Sequence, residues 1–307
     1  MRSLFIIAGT CIHLLLVGCA AHAELNRTQH ALASCTLQVR VVGQPEVQAG
    51  PRFVMINGVP LSSAIYRKVA QRLQERLAAT SYLIDLPGTG GSTLNGKDYS
   101  WPALRACIHS QLKELPPHLL VMDDIAPLSA LPFPQAYANT EGLVILNAVT
   151  RPSEVHPPFP LSFLRCCPDL AVAVGSVTPR AIFLARIRGL GIARSEAVST
   201  KELNSLYAEM MADGGLRHLA NLMSGFALDE EADRAFNNGL QTPVPQLFIW
   251  GTADPVLGQA YKHLLPLSDN QQLVTYPDAK HFLMLDYPDE IADAISEWYT
   301  TKVSAPL

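Results

Sequence analysis

Two carboxylates and one imidazole are spaced along this chain so that they could share a reaction. Asp124, preceded by Asp123, closes the apolar run His118-Leu-Leu-Val-Met-Asp-Asp-Ile-Ala126. Asp254 closes Pro245-Gln-Leu-Phe-Ile-Trp-Gly-Thr-Ala-Asp254, and His281 lies in Tyr276-Pro-Asp-Ala-Lys-His-Phe282. An imidazole moves protons near neutral pH, and a carboxylate can orient it or act as a nucleophile itself. A carboxylate nucleophile attacks an electrophilic carbon such as that of an epoxide or alkyl halide, whereas a serine attacks an acyl carbonyl. Each residue also has a plain reading. An aspartate after a strand commonly forms a turn or caps a helix, and a histidine in an apolar setting commonly packs in the core.

The elements that must position these groups follow from hydrophobic patterning. Phe53–Ile56, Tyr82–Ile84, Leu119–Met122, Leu143–Leu146 and Leu247–Trp250 are continuous apolar runs, the pattern of strands buried on both faces. Leu37–Val42 alternates apolar and polar residues, as an edge strand does. Between these runs Ile65–Leu77 places Val69, Leu73 and Leu77 on one helical stripe, and Trp101–Leu115 has a similar period. Alternating strands and helices predict an α/β fold with a mostly parallel, doubly wound sheet. From Thr150 to Gln241 the strand pattern stops. Pro152, Pro157, Pro158 and Pro160 interrupt the chain, and helical stretches follow at Leu170–Val174, Ala181–Leu190 and Glu202–Ser224.

With 307 residues, 49% of them hydrophobic and 16% charged, the chain can bury a large core. A net charge of -4 leaves no basic face for nucleic acid. The residues suggest no metal site and no organic cofactor.

Six segments in order resemble the α/β-hydrolase superfamily, over about residues 36 to 300 apart from the middle insertion. Arg52-Phe-Val-Met-Ile-Asn-Gly-Val-Pro60 is similar to the family's strand and H-G-x-P oxyanion loop, and Tyr82-Leu-Ile-Asp-Leu-Pro-Gly-Thr-Gly-Gly-Ser92 to its D-x-P-G-x-G-x-S segment. The run ending at Asp124 resembles the nucleophile elbow, Glu141–Ala148 the next core strand, Pro245–Asp254 the acid strand and Tyr276–Phe282 the histidine loop. The resemblance implies an α/β-hydrolase core at 36–149 and 242–302. It also implies a helical cap at 150–241, inserted after the sixth strand and supplying most of a small-molecule pocket. With aspartate at the elbow, the aspartate-nucleophile branch, that of epoxide hydrolases and haloalkane dehalogenases, is the nearest pattern.

The same resemblance implies roles. Asp124 would attack carbon to form an alkyl ester, His281 would activate the water that hydrolyses it, and Asp254 would orient His281. The backbone N–H groups of Val59 and Ile125 would form the oxyanion hole. Asp123 would point elsewhere. Several residues depart from the pattern: Asn57 replaces the usual histidine, Met122 a small residue, and Ile125 the tryptophan that holds a departing halide. Trp101, Trp250 and Trp298 all lie outside the cap, which disfavours halide chemistry. Epoxide opening needs an acid for the alkoxide, and Tyr207, the only tyrosine from 150 to 241, is the candidate. Its neighbours Leu203, Leu206 and Met210 give it a packing role as an alternative. An epoxide-hydrolase-like enzyme is therefore expected. The alternatives are an esterase- or lyase-like variant and a non-catalytic, membrane-tethered binding protein of the same fold.

The N-terminus carries an address. Met1-Arg2 and the apolar runs to Gly18 have the form of a secretory signal, and Leu16-Val-Gly-Cys19 resembles a bacterial lipobox. Residues 1–18 would then be removed, and Cys19 would carry the lipid of an exported, membrane-anchored lipoprotein. Cleavage after Ala23 would instead release a soluble periplasmic or secreted protein. Export makes disulfides persistent. Cys35, Cys107, Cys166 and Cys167 remain, and a bridge from Cys166 or Cys167 to Cys35 or Cys107 is the expected pairing, with free buried thiols as the alternative.

Overall fold

The computed structural model describes residues 26–31, 35–46, 50–131 and 139–304. The expected signal sequence, Cys19 and the cleavage point after Ala23 lie outside these residues. In chain order the first half runs β1 (Asn26–Ala31), β2 (Cys35–Val42), β3 (Arg52–Ile56), α1 (Arg67–Leu77), β4 (Thr80–Ile84), β5 (Thr93–Leu94), α2 (Trp101–Leu112), β6 (His118–Asp124), α3 (Ala126–Ala130) and β7 (Thr140–Ala148). Six helices follow: α4 (Leu161–Cys166), α5 (Pro168–Val177), α6 (Arg180–Gly191), α7 (Thr200–Met211), α8 (Gly215–Gly225) and α9 (Glu230–Gly239). The chain then returns to the sheet through β8 (Gln246–Gly251) and β9 (Gln271–Tyr276) and ends in α10 (Leu283–Asp286) and α11 (Pro288–Trp298).

Among the described residues eight strands lie side by side in the order β1-β2-β4-β3-β6-β7-β8-β9, and the two-residue β5 pairs with β2. All neighbours from β4 to β9 are parallel, while β1–β2 and β2–β4 are antiparallel. The continuous apolar runs serve both faces at once. Val54, Leu120 and Ile145 enter one core cluster with α2 and α3, while Phe53, Val121 and Val144 enter the other with α1 and α11. This period of two is what a strand buried on both faces requires. The helices from α4 to α9 form the insertion between β7 and β8, that is, after the sixth strand when the short β5 is left out of the count.

Three expectations are corrected. β2 is not the edge strand, because β1 pairs along its outer side. The polar positions Gln38 and Arg40 that suggested an exposed face are buried, and Arg40 is neutralised by Asp85 and Glu209. Second, the bridge joins Cys35 to Cys107, with Cα atoms 5.9 Å apart, since β5 pairs with the start of β2 and leads directly into α2. Cys166 and Cys167 are exposed at the junction of α4 and α5, their sulfurs 2.8 Å apart. Third, the helical stretch expected over 202–224 is two helices. Asp213 (φ +51°) and Gly214 (φ +78°) take left-handed conformations between α7 and α8 and end the ladder there.

Candidate active site

The elbow at the end of β6 is built from one strained residue. Asp124 adopts φ +52°, where a residue with a Cβ is seldom found. Pairing with β7 shifts register between Asp123 and Asp124, and the Asp124 carbonyl accepts from the Val149 N–H at 2.9 Å. The chain therefore passes from strand to helix α3 within a residue, and the side chain is delivered to the cavity above the sheet. Gly58 makes this arrangement sterically feasible, because a Cβ on the loop after β3 at that point would collide with the Asp124 side chain.

The two adjacent aspartates grip that loop from both sides. The Val59 N–H donates to Asp124 Oδ2 at 2.9 Å, and the Ile125 N–H also bonds the Asp124 carboxylate. Asp123 points the other way. Its Oδ1 accepts from the Tyr66 hydroxyl at 2.5 Å and from the Gly58 N–H at 3.1 Å. Burial pushes the Asp123 carboxyl up to about 7, against the Tyr66 hydrogen bond, with the neighbouring Asp124 charge adding to the rise. Burial raises Asp124 too, opposed by the charge of His281 and the two backbone donors. Asn57, which stands in place of the family's histidine, latches the loop. Its amide donates to the Leu61 carbonyl at 2.5 Å and to Thr89 Oγ1 at 2.9 Å, and its oxygen accepts from the Leu86 N–H at 3.2 Å.

Asp254 and His281 meet beside the elbow. His281 Nδ1 lies 2.8 Å from Asp254 Oδ2, and Asp254 Oδ1 accepts from the Val256 N–H at 2.8 Å. Burial alone would raise Asp254 and lower His281, but their mutual attraction reverses both. Asp254 falls below its usual value, and His281, which also faces the charges of Asp124 and Asp123, rises to about 9. An ionised Asp254 accepting from Nδ1–H leaves Nε2 as the nitrogen that exchanges protons. Asn147, at the end of β7, locks the pair in place. Its amide donates to Asp254 Oδ2 and to the Lys280 carbonyl, both at 3.1 Å, and its oxygen accepts from the Gly251 N–H at 2.7 Å.

Above these groups lies a cavity of about 520 Å³ between the sheet and the inserted helices. Val59, Ile125, Asp124 and His281 form its floor, with Phe183 and Met210 among the apolar side chains of its walls. Tyr207 lines the same cavity from α7, its ring centroid 5.1 Å from that of Phe183. Arg40 clamps the insertion to the sheet, donating to Asp85 at 2.6 Å and to Glu209 of α7 at 2.8 Å. The Ser62 hydroxyl also donates to Glu209, at 2.7 Å. Among the described residues no group of three or more His, Cys, Asp or Glu side chains is placed to hold a metal ion.

The structure thus brings Asp124, His281, Val59, Ile125 and Tyr207 around one cavity, with Asp254 behind His281. Sequence reasoning missed Asn147, the Tyr66–Asp123 pair and the Arg40 clamp. The one signal for Asn147 is a polar residue ending an otherwise apolar strand.

Residues 53–294 match the model of the alpha/beta hydrolase family, and the chain belongs to that family. Solved structures share the fold. A Pseudomonas aeruginosa protein provisionally described as an epoxide hydrolase superposes with a TM-score of 0.70 at 18% identity, over 91% of this chain and 97% of its own. The epoxide hydrolase CorEH gives 0.68 at 17% identity, over 90% and 99% of the two chains. A thermophilic esterase from Thermogutta terrifontis gives 0.67 at 16% identity, over 91% and 99%. Among curated proteins, a pimeloyl-[acyl-carrier protein] methyl ester esterase from Pseudoalteromonas atlantica is 31% identical over 80 residues, 26% of this chain. The match spans only 28% of that relative's length.

Proposed function

We propose that this protein is an exported hydrolase that opens an epoxide on a small apolar molecule through an alkyl ester on Asp124. The observation carrying this reading is the hydrogen bond from the Val59 N–H to Asp124 Oδ2. The elbow carboxylate rests one of its own oxygens on the donors that a serine enzyme reserves for the substrate carbonyl. An ester-cleaving reading would need that place empty.

In the first step Asp124 attacks an epoxide carbon, the C–O bond breaks, and the Tyr207 hydroxyl gives its proton to the leaving alkoxide. The ester is neutral. His281 thereby loses one of the negative charges that hold its pKa up, and it sheds its proton, which returns to the Tyr207 phenolate through solvent, to become a base. It then takes a proton from water, and the hydroxide adds to the Asp124 carbonyl carbon. The resulting oxyanion sits on the Val59 and Ile125 N–H groups, and collapse releases the diol, protonated by His281, and leaves Asp124 as the acid, whose proton passes to His281 to restore the carboxylate.

Export is supported by the Cys35–Cys107 bridge, which belongs in an oxidising compartment. Lipidation of Cys19 would tether the protein to a membrane. Cleavage after Ala23 would release it.

The test uses His281→Gln, which should form the ester but hydrolyse it slowly. Incubation with a panel of apolar epoxides, then intact mass and peptide mapping, should show an adduct on the Asp124 peptide that Asp124→Asn abolishes. Cleavage of acyl esters by the wild type, undiminished in Asp124→Asn, would overturn the assignment.

A further inference from the structure

Of the six large apolar side chains most exposed among the described residues, five fall between Phe159 and Ile182. They are Phe159, Leu170, Val174, Val177 and Ile182, and their exposure runs from 45% at Val174 to 79% at Val177. Such a concentration in one part of the surface marks an interaction face rather than the scattered apolar residues of an ordinary exterior. It sits on α5, α6 and the segment leading into them. The two helices meet at a bend of 109°, and no single helix among the described residues is long and apolar enough to cross a membrane.

Two further observations say what covers this face. The first is continuity with the cavity. Phe159, Val174 and Ile182 are exposed and also line the chamber above Asp124 and His281, so the chamber opens through the patch. A protein seated there would close the mouth, whereas a lipid phase would feed it, and an apolar ligand partitions into lipid. The second is charge. Residues 168–191 contain one carboxylate, Asp169, which pairs with Arg217 at 2.6 Å, and three arginines, Arg180, Arg186 and Arg188. No carboxylate among the described residues pairs with any of the three. An apolar ridge flanked by unneutralised guanidinium groups has the composition of a segment that lies in the interface of an anionic bilayer.

We infer that the α5–α6 elbow docks on an anionic lipid surface and that the cavity takes its ligand, a lipophilic molecule, directly from the bilayer. The docking stands on surface geometry and charge alone. The identity of the ligand as a lipophilic epoxide rests on the proposed function.

The exposed thiols at the start of α5 allow a direct test. The full chain with Cys11, Cys19 and Cys166 replaced by serine is labelled at Cys167 with bimane and mixed with vesicles of phosphatidylethanolamine and phosphatidylglycerol carrying a nitroxide lipid. Nitroxide within the acyl region should quench the label. Leu170→Glu with Val177→Glu, both outside the cavity lining, should weaken that partitioning roughly 100-fold, as expected for exchanging two membrane-buried apolar side chains for charges. Circular dichroism melting confirms that this variant is folded. No quenching of the parent, or equal quenching in the double variant, overturns the docking. Equal quenching on phosphatidylcholine vesicles overturns the anionic surface. Concentration-dependent burial of the Cys167 label without lipid, read as a blue shift of bimane emission, overturns it in favour of a second copy. Because bimane quenching reads no catalysis, failure here leaves the ester on Asp124 untouched, and absence of that ester leaves the docking untouched.

Discussion

His281 carries the clearest pH signature in the molecule. Its folded pKa of about 9 lies above the ordinary 6.5, so the folded state holds that proton more tightly than the unfolded chain does. The stabilisation is complete below 6.5 and is lost as pH rises through about 9. Chemical denaturation across that interval should show the wild type losing more stability than His281→Gln, and parallel curves would contradict the ion pair. Asp123 acts in the same direction, since its carboxyl, raised from 3.8 to about 7, favours the folded state most when protonated. Its adjacency to Asp124 is plain in the sequence, but its grip on Tyr66 is not. That contact depends on where α1's preceding turn, Ser63–Tyr66, falls in space.

At the scale of elements, the inserted helices are held to the sheet by charge as well as by apolar packing. Arg40→Ala would strand Asp85, buried at its side of the clamp, and the expected cost is about 3–5 kcal/mol in urea denaturation. Glu209→Gln keeps the Arg40–Asp85 pair and should cost only about 1 kcal/mol while loosening α7. A cost for Arg40→Ala no larger than that of Glu209→Gln would show that apolar packing alone holds the insertion. The parallel strands were legible because burial on both faces writes an unbroken apolar run, as in Leu119–Met122. β2 misled because alternation reports polarity, and a buried, neutralised Arg40 looks in sequence like an exposed one. β1, with its polar sequence Asn26–Ala31, carries no apolar signal at all. Asn147 was illegible for a different reason: its partners, Gly251, Asp254 and Lys280, belong to other elements and become neighbours only when β7 and β8 pair.

For the whole molecule, the order of Asp124, Asp254 and His281 along the chain was enough to anticipate their convergence, while the disulfide pairing was not legible. The four cysteines among the described residues permit several pairings, and only the placement of α2 over the start of β2 selects one. The Cys35–Cys107 bridge closes a sequence separation of 72 residues, for which the chain-entropy estimate is about 4 kcal/mol. Reduction, or a Cys35→Ala/Cys107→Ala variant, should lower the denaturation midpoint by a corresponding amount, and an unchanged midpoint would mean that packing alone fixes that edge. The hydrogen bond from Val59 to Asp124 reaches further than the resting site. Under the proposed alkyl-ester reading, two reaction classes are separated by who occupies a pair of backbone donors, which puts the scaffold a single substitution from acyl chemistry. Asp124→Ser should vacate the Val59 and Ile125 N–H groups beside an already oriented His281. The expected result is a nascent, slow hydrolysis of p-nitrophenyl esters that the parent lacks, a latent promiscuity on which selection could act.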